Sequence, residues 1–87
     1  MAGDTRRIPN LATQPGEAEL ITSPKDLGTL IRGARKRSGL TQQEFADLCG
    51  VGRRFLSESE AGKPRLELGK ILQVLKAAGI DLYGTLR

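Results

Sequence analysis

Histidine and tryptophan are absent from this chain of 87 residues, tyrosine, cysteine and methionine occur once each, and phenylalanine occurs twice. Without histidine the sequence lacks the side chain that most often serves as a general acid or base, or as a metal ligand. One cysteine, Cys49, excludes an intramolecular disulfide and suits a reducing compartment. Neither a glycine-rich phosphate loop followed by Lys and Ser or Thr nor a metal-spaced ligand cluster is present. No run reaches the roughly 20 apolar residues that span a bilayer. The polar start MAGDTRRIPN has no apolar signal-peptide segment. The chain therefore reads as a cytoplasmic non-enzyme, with no catalytic residue, no metal and no cofactor.

Positive charge is what the sequence does have, with 14 Lys and Arg against 10 Asp and Glu, a formal net of +4. Residues 1–22 carry Arg6 and Arg7 against Asp4, Glu17 and Glu19, a net of −1, so residues 23–87 carry +5. A basic folded part suits a polyanion, either nucleic acid or an anionic membrane surface. A membrane-surface helix needs a free apolar face opposite a basic one. Here each apolar stripe is needed for the core of a small domain, so no membrane partner is expected.

Residues 1–22, with Pro9, Pro15, Gly3 and Gly16 and no sustained apolar period, read as a flexible N-terminal arm in which Leu20 and Ile21 form at most a short extended piece. Ser23-Pro24 opens a first helix, a capping hydroxyl followed by a proline preset for the first turn. Leu27, Leu30, Ile31 and Ala34 form its stripe, Arg32, Arg35, Lys36 and Arg37 suit its C-terminal dipole, and Gly39 ends it. Thr41-Gln42-Gln43-Glu44 is a capping box that opens a second helix with Phe45, Ala46, Leu48 and Cys49 inward. Cys49 is read there as core, not as a nucleophile. After the turn at Gly50-Val51, a third helix runs from Gly52 to Ala61, with Leu56 buried and Gly62 as its stop. A fourth, about 67–78, buries Leu68, Ile71, Leu72 and Leu75 before Gly79, with Gly69 a weak point. Ile80-Asp81-Leu82-Tyr83 then alternates like a strand. A lone strand leaves its ladder unpaired, and pairing with a second copy through Ile80, Leu82 and Tyr83 satisfies it.

The predicted fold class is thus all-α: a four-helix domain, with room for a fifth helix, plus a short C-terminal β-strand that pairs across a dimer. Its divisions are the arm 1–22, the helical domain 23–79 and the dimerisation strand 80–87. The major groove of DNA admits one helix, whose N-terminal side chains reach base edges. Here those are Arg53, Arg54 and Ser57, with Gly52 allowing close approach of the backbone. Lys63 and Arg65 in the following loop fit phosphate contacts, which position without reading sequence. Each of these cations is also ordinary surface covering when taken alone; the position of the Arg53–Arg54 pair at the start of the third helix, just after the tight turn, is what favours base contact.

The stretch LTQQEFADLCGVGRRFLSESEAGKPR, residues 40–65, resembles the helix-turn-helix of the Cro and phage-repressor (XRE) family, and within it the HipB-like antitoxins. The likeness runs from about Ile21 to the end. It implies a sequence-specific repressor that binds double-stranded DNA at an inverted-repeat operator as a homodimer. It further implies an antitoxin partnered with a HipA-like kinase toxin and autoregulating its operon. Two other readings stay open: a protein-interaction antitoxin with secondary DNA binding, and a free-standing regulator with no toxin. The resemblance places Gln42 on a backbone phosphate and pairs Arg35 with Glu60 as a structural ion pair. It departs at Ser59, where HipB-like sequences usually carry a large apolar residue, so a core contact is expected to be lost.

Overall fold

A computed structural model describes Gly16 and residues 18–87 as four helices in sequence: α1 Pro24–Ser38, α2 Gln42–Cys49, α3 Arg53–Ala61 and α4 Leu68–Ala78. Most of the expected arm, including Ile8 and Leu11, lies outside the described residues. Local chemistry sets the starts of α1 and α2 and the ends of all four helices. The Ser23 hydroxyl accepts from the Asp26 N–H at 3.0 Å, Pro24 occupies the first helical position, and Thr22 donates from both its backbone N–H and its hydroxyl to the Asp26 carboxylate. Those donors hold the Asp26 carboxyl below its ordinary range, the Thr22 backbone bond first among them.

At α2 the capping box is complete: the Thr41 hydroxyl accepts from the Glu44 N–H at 3.1 Å, and the Thr41 N–H donates to Glu44 Oε1 at 2.9 Å. All four helices end on glycines with left-handed backbone, Gly39, Gly50, Gly62 and Gly79. The amide of each returns to carbonyls of the last turn, as in Schellman-type closures.

The core is small and aliphatic: Ile31 from α1, Phe45, Ala46 and Cys49 from α2, Leu56 from α3, and Ile71, Val74 and Leu75 from α4. Leu27, Leu40, Val51, Phe55, Leu66, Ala78 and Ile80 pack against it. Burial pushes the Cys49 thiol up, away from the reactive thiolate. Two faces differ from the sequence reading. Leu48, Leu68 and Leu72, expected inside, are exposed, while Val74 is fully buried. In α4 the apolar residues support two overlapping stripes, 68-71-72-75 and 71-74-75-78, and contact with α1 and α2 selects the second.

Helices α1 and α3 approach closely at Gly28. A Cβ on Gly28 would lie 2.4 Å from the Ser59 carbonyl oxygen and 2.7 Å from that of Glu60, so only glycine fits there. Ser59 is buried, and its hydroxyl donates to the Phe55 carbonyl within its own helix. It lines an open apolar groove of about 280 Å³ together with Leu27, Ile31, Leu66, Leu68 and Ile71, at the site where a larger residue was expected from the resemblance. No strand occurs among the described residues, and residues 81–87 have no regular secondary structure in the single chain.

Candidate nucleic-acid interface

Helix α3 is held by its C-terminal half and presents its N-terminal half. Gly62 closes it with φ +81°, and a Cβ there would meet the Lys25 backbone at 2.7 Å, which seats the end of α3 against the start of α1. On the same half, Arg35 reaches across from α1. Its Nε donates to Glu60 Oε2 at 2.6 Å and one terminal nitrogen donates to Glu60 Oε1 at 3.0 Å, a bidentate fork. Its other terminal nitrogen donates to the Leu40 carbonyl. The two side chains are only 12% and 5% exposed, so the pair works in a desolvated setting where loss of either partner strands a charge. Hydrogen bonding to Glu60 raises the Arg35 pKa further above its ordinary value.

Gln42 joins this network. Its side-chain N–H donates to Glu60 Oε1 at 3.1 Å, so the first residue of α2, the end of α3 and the end of α1 meet on one carboxylate. The angle between the two helices of the motif is set again at the turn, where Val51 N–H donates to the Ala46 carbonyl. Gln73 of α4 donates to the Cys49 and Gly50 carbonyls at 2.8 and 3.2 Å, closing the same turn from behind.

The opposite end of α3 is open. Gly52 provides no side-chain cap, its φ of −74° demands no glycine, and a Cβ there would meet nothing within 4 Å. Among the described residues neither backbone strain nor packing requires glycine here; it serves as a permissive N-cap and leaves the end of the helix open to close approach. Arg53 and Arg54 project from this end, the Arg54 side chain 89% exposed, and Ser57 follows one turn on, half-buried. Lys63 and Arg65 are exposed in the loop beyond Gly62. The sequence-derived candidates thus fall into two sets: Gly52, Arg53, Arg54, Ser57, Lys63 and Arg65 along α3 and its following loop, and Gln42 at the α2 start, already engaged with Glu60.

Three residues not singled out from sequence belong to this region. Glu58 Oε2 lies 3.1 Å from Lys63 Nζ and 3.5 Å from Arg54 Nε, and the Lys63 bond leads in holding its carboxyl below the usual range. Lys70 of α4 stands over the Phe55 ring at 5.6 Å from its centroid. Gln73 is the third. Only Glu58 left a local signal, its i,i+4 spacing from Arg54; the other two depend on contacts between distant segments.

The profile of a family described as a helix-turn-helix domain matches residues 26–87. The chain belongs to that helix-turn-helix family. An HTH-type transcriptional regulator of Sinorhizobium fredii, y4mF, itself described as uncharacterized, is 46% identical over 65 residues, covering 75% of this chain and 86% of that one. Among solved structures, this helix-turn-helix chain superposes on that of the HipB–O4 20mer complex with a TM-score of 0.70 at 22% identity, covering 78% of this chain and 96% of that one. The HipA–HipB–O2–O3 complex gives the same values. The restriction-modification controller protein C.AhdI from Aeromonas hydrophila follows with a TM-score of 0.58, 29% identity, and coverage of 67% and 84%. The fold is therefore HipB-like, and the chain is a helix-turn-helix protein of the transcriptional-regulator kind.

Proposed function

We propose that this protein is a sequence-specific repressor that binds double-stranded DNA as a homodimer, placing α3 in the major groove of each half of an inverted repeat. The observation that carries the reading is the open, uncapped N-terminal end of α3, where Arg53 and Arg54 project beside a glycine that packing among the described residues does not require. An arginine donates two hydrogen bonds to O6 and N7 of guanine, worth roughly 1–3 kcal/mol of discrimination per pair. Gln42 contributes its second side-chain N–H to a backbone phosphate while the first stays on Glu60, which fixes the amide in one orientation. Arg65 adds a phosphate contact, which steepens the slope of log affinity against log salt by roughly 0.9, and Lys63 adds another where it leaves the Glu58 carboxylate that holds it in the free protein.

Dimerisation is supported by the exposed apolar side chains of the C-terminal segment, Leu82, Tyr83 and Leu86, with Ile80 at its root packed on the core. Pairing of 80–87 with a second copy covers them and satisfies the segment's backbone. The likeness to HipB, a chain solved in complex with HipA, supports an antitoxin role in which a HipA-like kinase toxin is the protein partner and the pair represses its own operon. The site of action is the bacterial cytoplasm, at the nucleoid through operator binding.

The test is titration onto DNA from upstream of the protein's own gene at two salt concentrations, beside an Arg53→Ala, Arg54→Ala double variant. Salt-dependent binding lost in the variant is expected. Equal binding by both proteins would mean that α3 does not read sequence. A toxin pull-down with the same variant separates the partner role from DNA contact, since the two surfaces are expected to be distinct.

A further inference from the structure

Resting on the DNA reading above, we propose that Glu58 is a positioning residue for sequence recognition: its carboxylate pairs with Arg54 one turn earlier on α3 and narrows the positions open to that guanidinium, and it restrains Lys63 with the same oxygen. Glu58 Oε2 comes nearest to Arg54 at Nε, 3.5 Å, an ion pair longer than a good hydrogen bond, on a guanidinium whose N–H donors match O6 and N7 of guanine. Lys63 Nζ approaches the same Oε2 at 3.1 Å from the loop after α3, so one carboxylate gathers cations from two segments.

The arrangement contributes little to holding the fold. Arg54 is almost wholly exposed, and surface ion pairs of this kind add little to stability. Its consequence falls on the bound state. An arginine paired in this way gives up less side-chain freedom when its fork closes on a base edge. A carboxylate on the reading face also repels phosphate, and it engages a lysine that would otherwise neutralise one. A duplex offering only its backbone therefore gains less from this surface, while a duplex offering guanine opposite Arg54 keeps its full contact. Glu58 thus raises the ratio of specific to non-specific binding from both directions.

Glu58→Gln keeps the shape and removes the charge. It is to be compared with wild type on two duplexes, one covering the region upstream of the protein's gene and one of the same composition in scrambled order. The expected result is a fall of about tenfold in the specificity ratio, within the range that one bidentate arginine supplies. The released Lys63 should also steepen the salt slope on the scrambled duplex by about 0.9, a further factor of about 3.5 between 50 and 200 mM salt. Melting curves check that the variant folds. In an Arg54→Ala background the substitution should leave only the smaller part of the fall, the part that comes from releasing Lys63.

An unchanged ratio and slope would overturn the proposal. So would an equal fall in the Arg54→Ala background, which would make Glu58 itself a base reader. Wild-type protein that fails to distinguish the two duplexes would overturn the DNA reading instead, and the proposal with it.

Discussion

Helices α2 and α3 are neighbours of similar length, yet they begin in opposite ways. The start of α2 is closed by a reciprocal box in which Thr41 and Glu44 satisfy each other's backbone, whereas α3 starts at Gly52 with no side chain on its amides. The two ends of α3 differ just as sharply, one clamped by Gly28, Gly62 and the Arg35–Glu60 pair, the other left to solvent. Helix α4 also starts without a side-chain cap, at Glu67, so a missing cap does not by itself mark a binding surface. What sets the start of α3 apart is the combination of an uncapped end with two adjacent exposed arginines, Arg53 and Arg54.

Removing the clamp is the largest perturbation available. Glu60→Ala leaves Arg35 buried without its carboxylate and is expected to cost about 3–5 kcal/mol in denaturant unfolding. The double replacement Arg35→Met, Glu60→Leu should recover most of that loss, because neither charge is then stranded. Gly28→Ala comes next: its methyl meets the Ser59 and Glu60 carbonyls, and a loss of about 1–3 kcal/mol is expected as α1 and α3 are pushed apart. DNA affinity should fall alongside stability, since the same contact fixes the angle of α3.

The comparison of helix starts is tested by a matched pair. Thr41→Ala should cost about 1 kcal/mol, while Gly52→Ser should gain a few tenths and still weaken DNA binding. Stability and affinity moving together at Gly52 would break the contrast. The smallest effect concerns Asp26 at the start of α1. Its pKa is lowered in the folded state, so its contribution is complete above the ordinary value of 3.8 and is lost as pH falls through the lowered one. Asp26→Asn should therefore melt earlier than wild type at neutral pH and converge with it in acid.

Helix boundaries were legible because their causes are local. Ser23-Pro24, the Thr41–Glu44 box and the terminal glycines act within a few residues of themselves, and the structure places the helices where these signals point. Faces were less legible. Leu68 and Leu72 satisfy a helical period as well as Val74 does, and the choice depends on how α4 rolls against α1 and α2, which no window of sequence contains. Leu48 shows the same limit in α2, a helix of about two turns whose core-facing stripe is narrow. In the candidate interface the cations announced themselves by clustering. The side chains that orient the motif did not, because Gln73 acts on carbonyls 23 and 24 residues away.

Those two bonds have a mechanical meaning. Gln73 is the point at which α4 grips the bend between α2 and α3, and a side chain at Gly50 would collide with its amide at 2.9 Å. The pitch of the reading helix is thereby coupled to the helix that leads into the C-terminal segment. In the proposed complex, a body that docks on α4 or on the residues beyond it therefore acts on the same bend that orients Arg53 and Arg54.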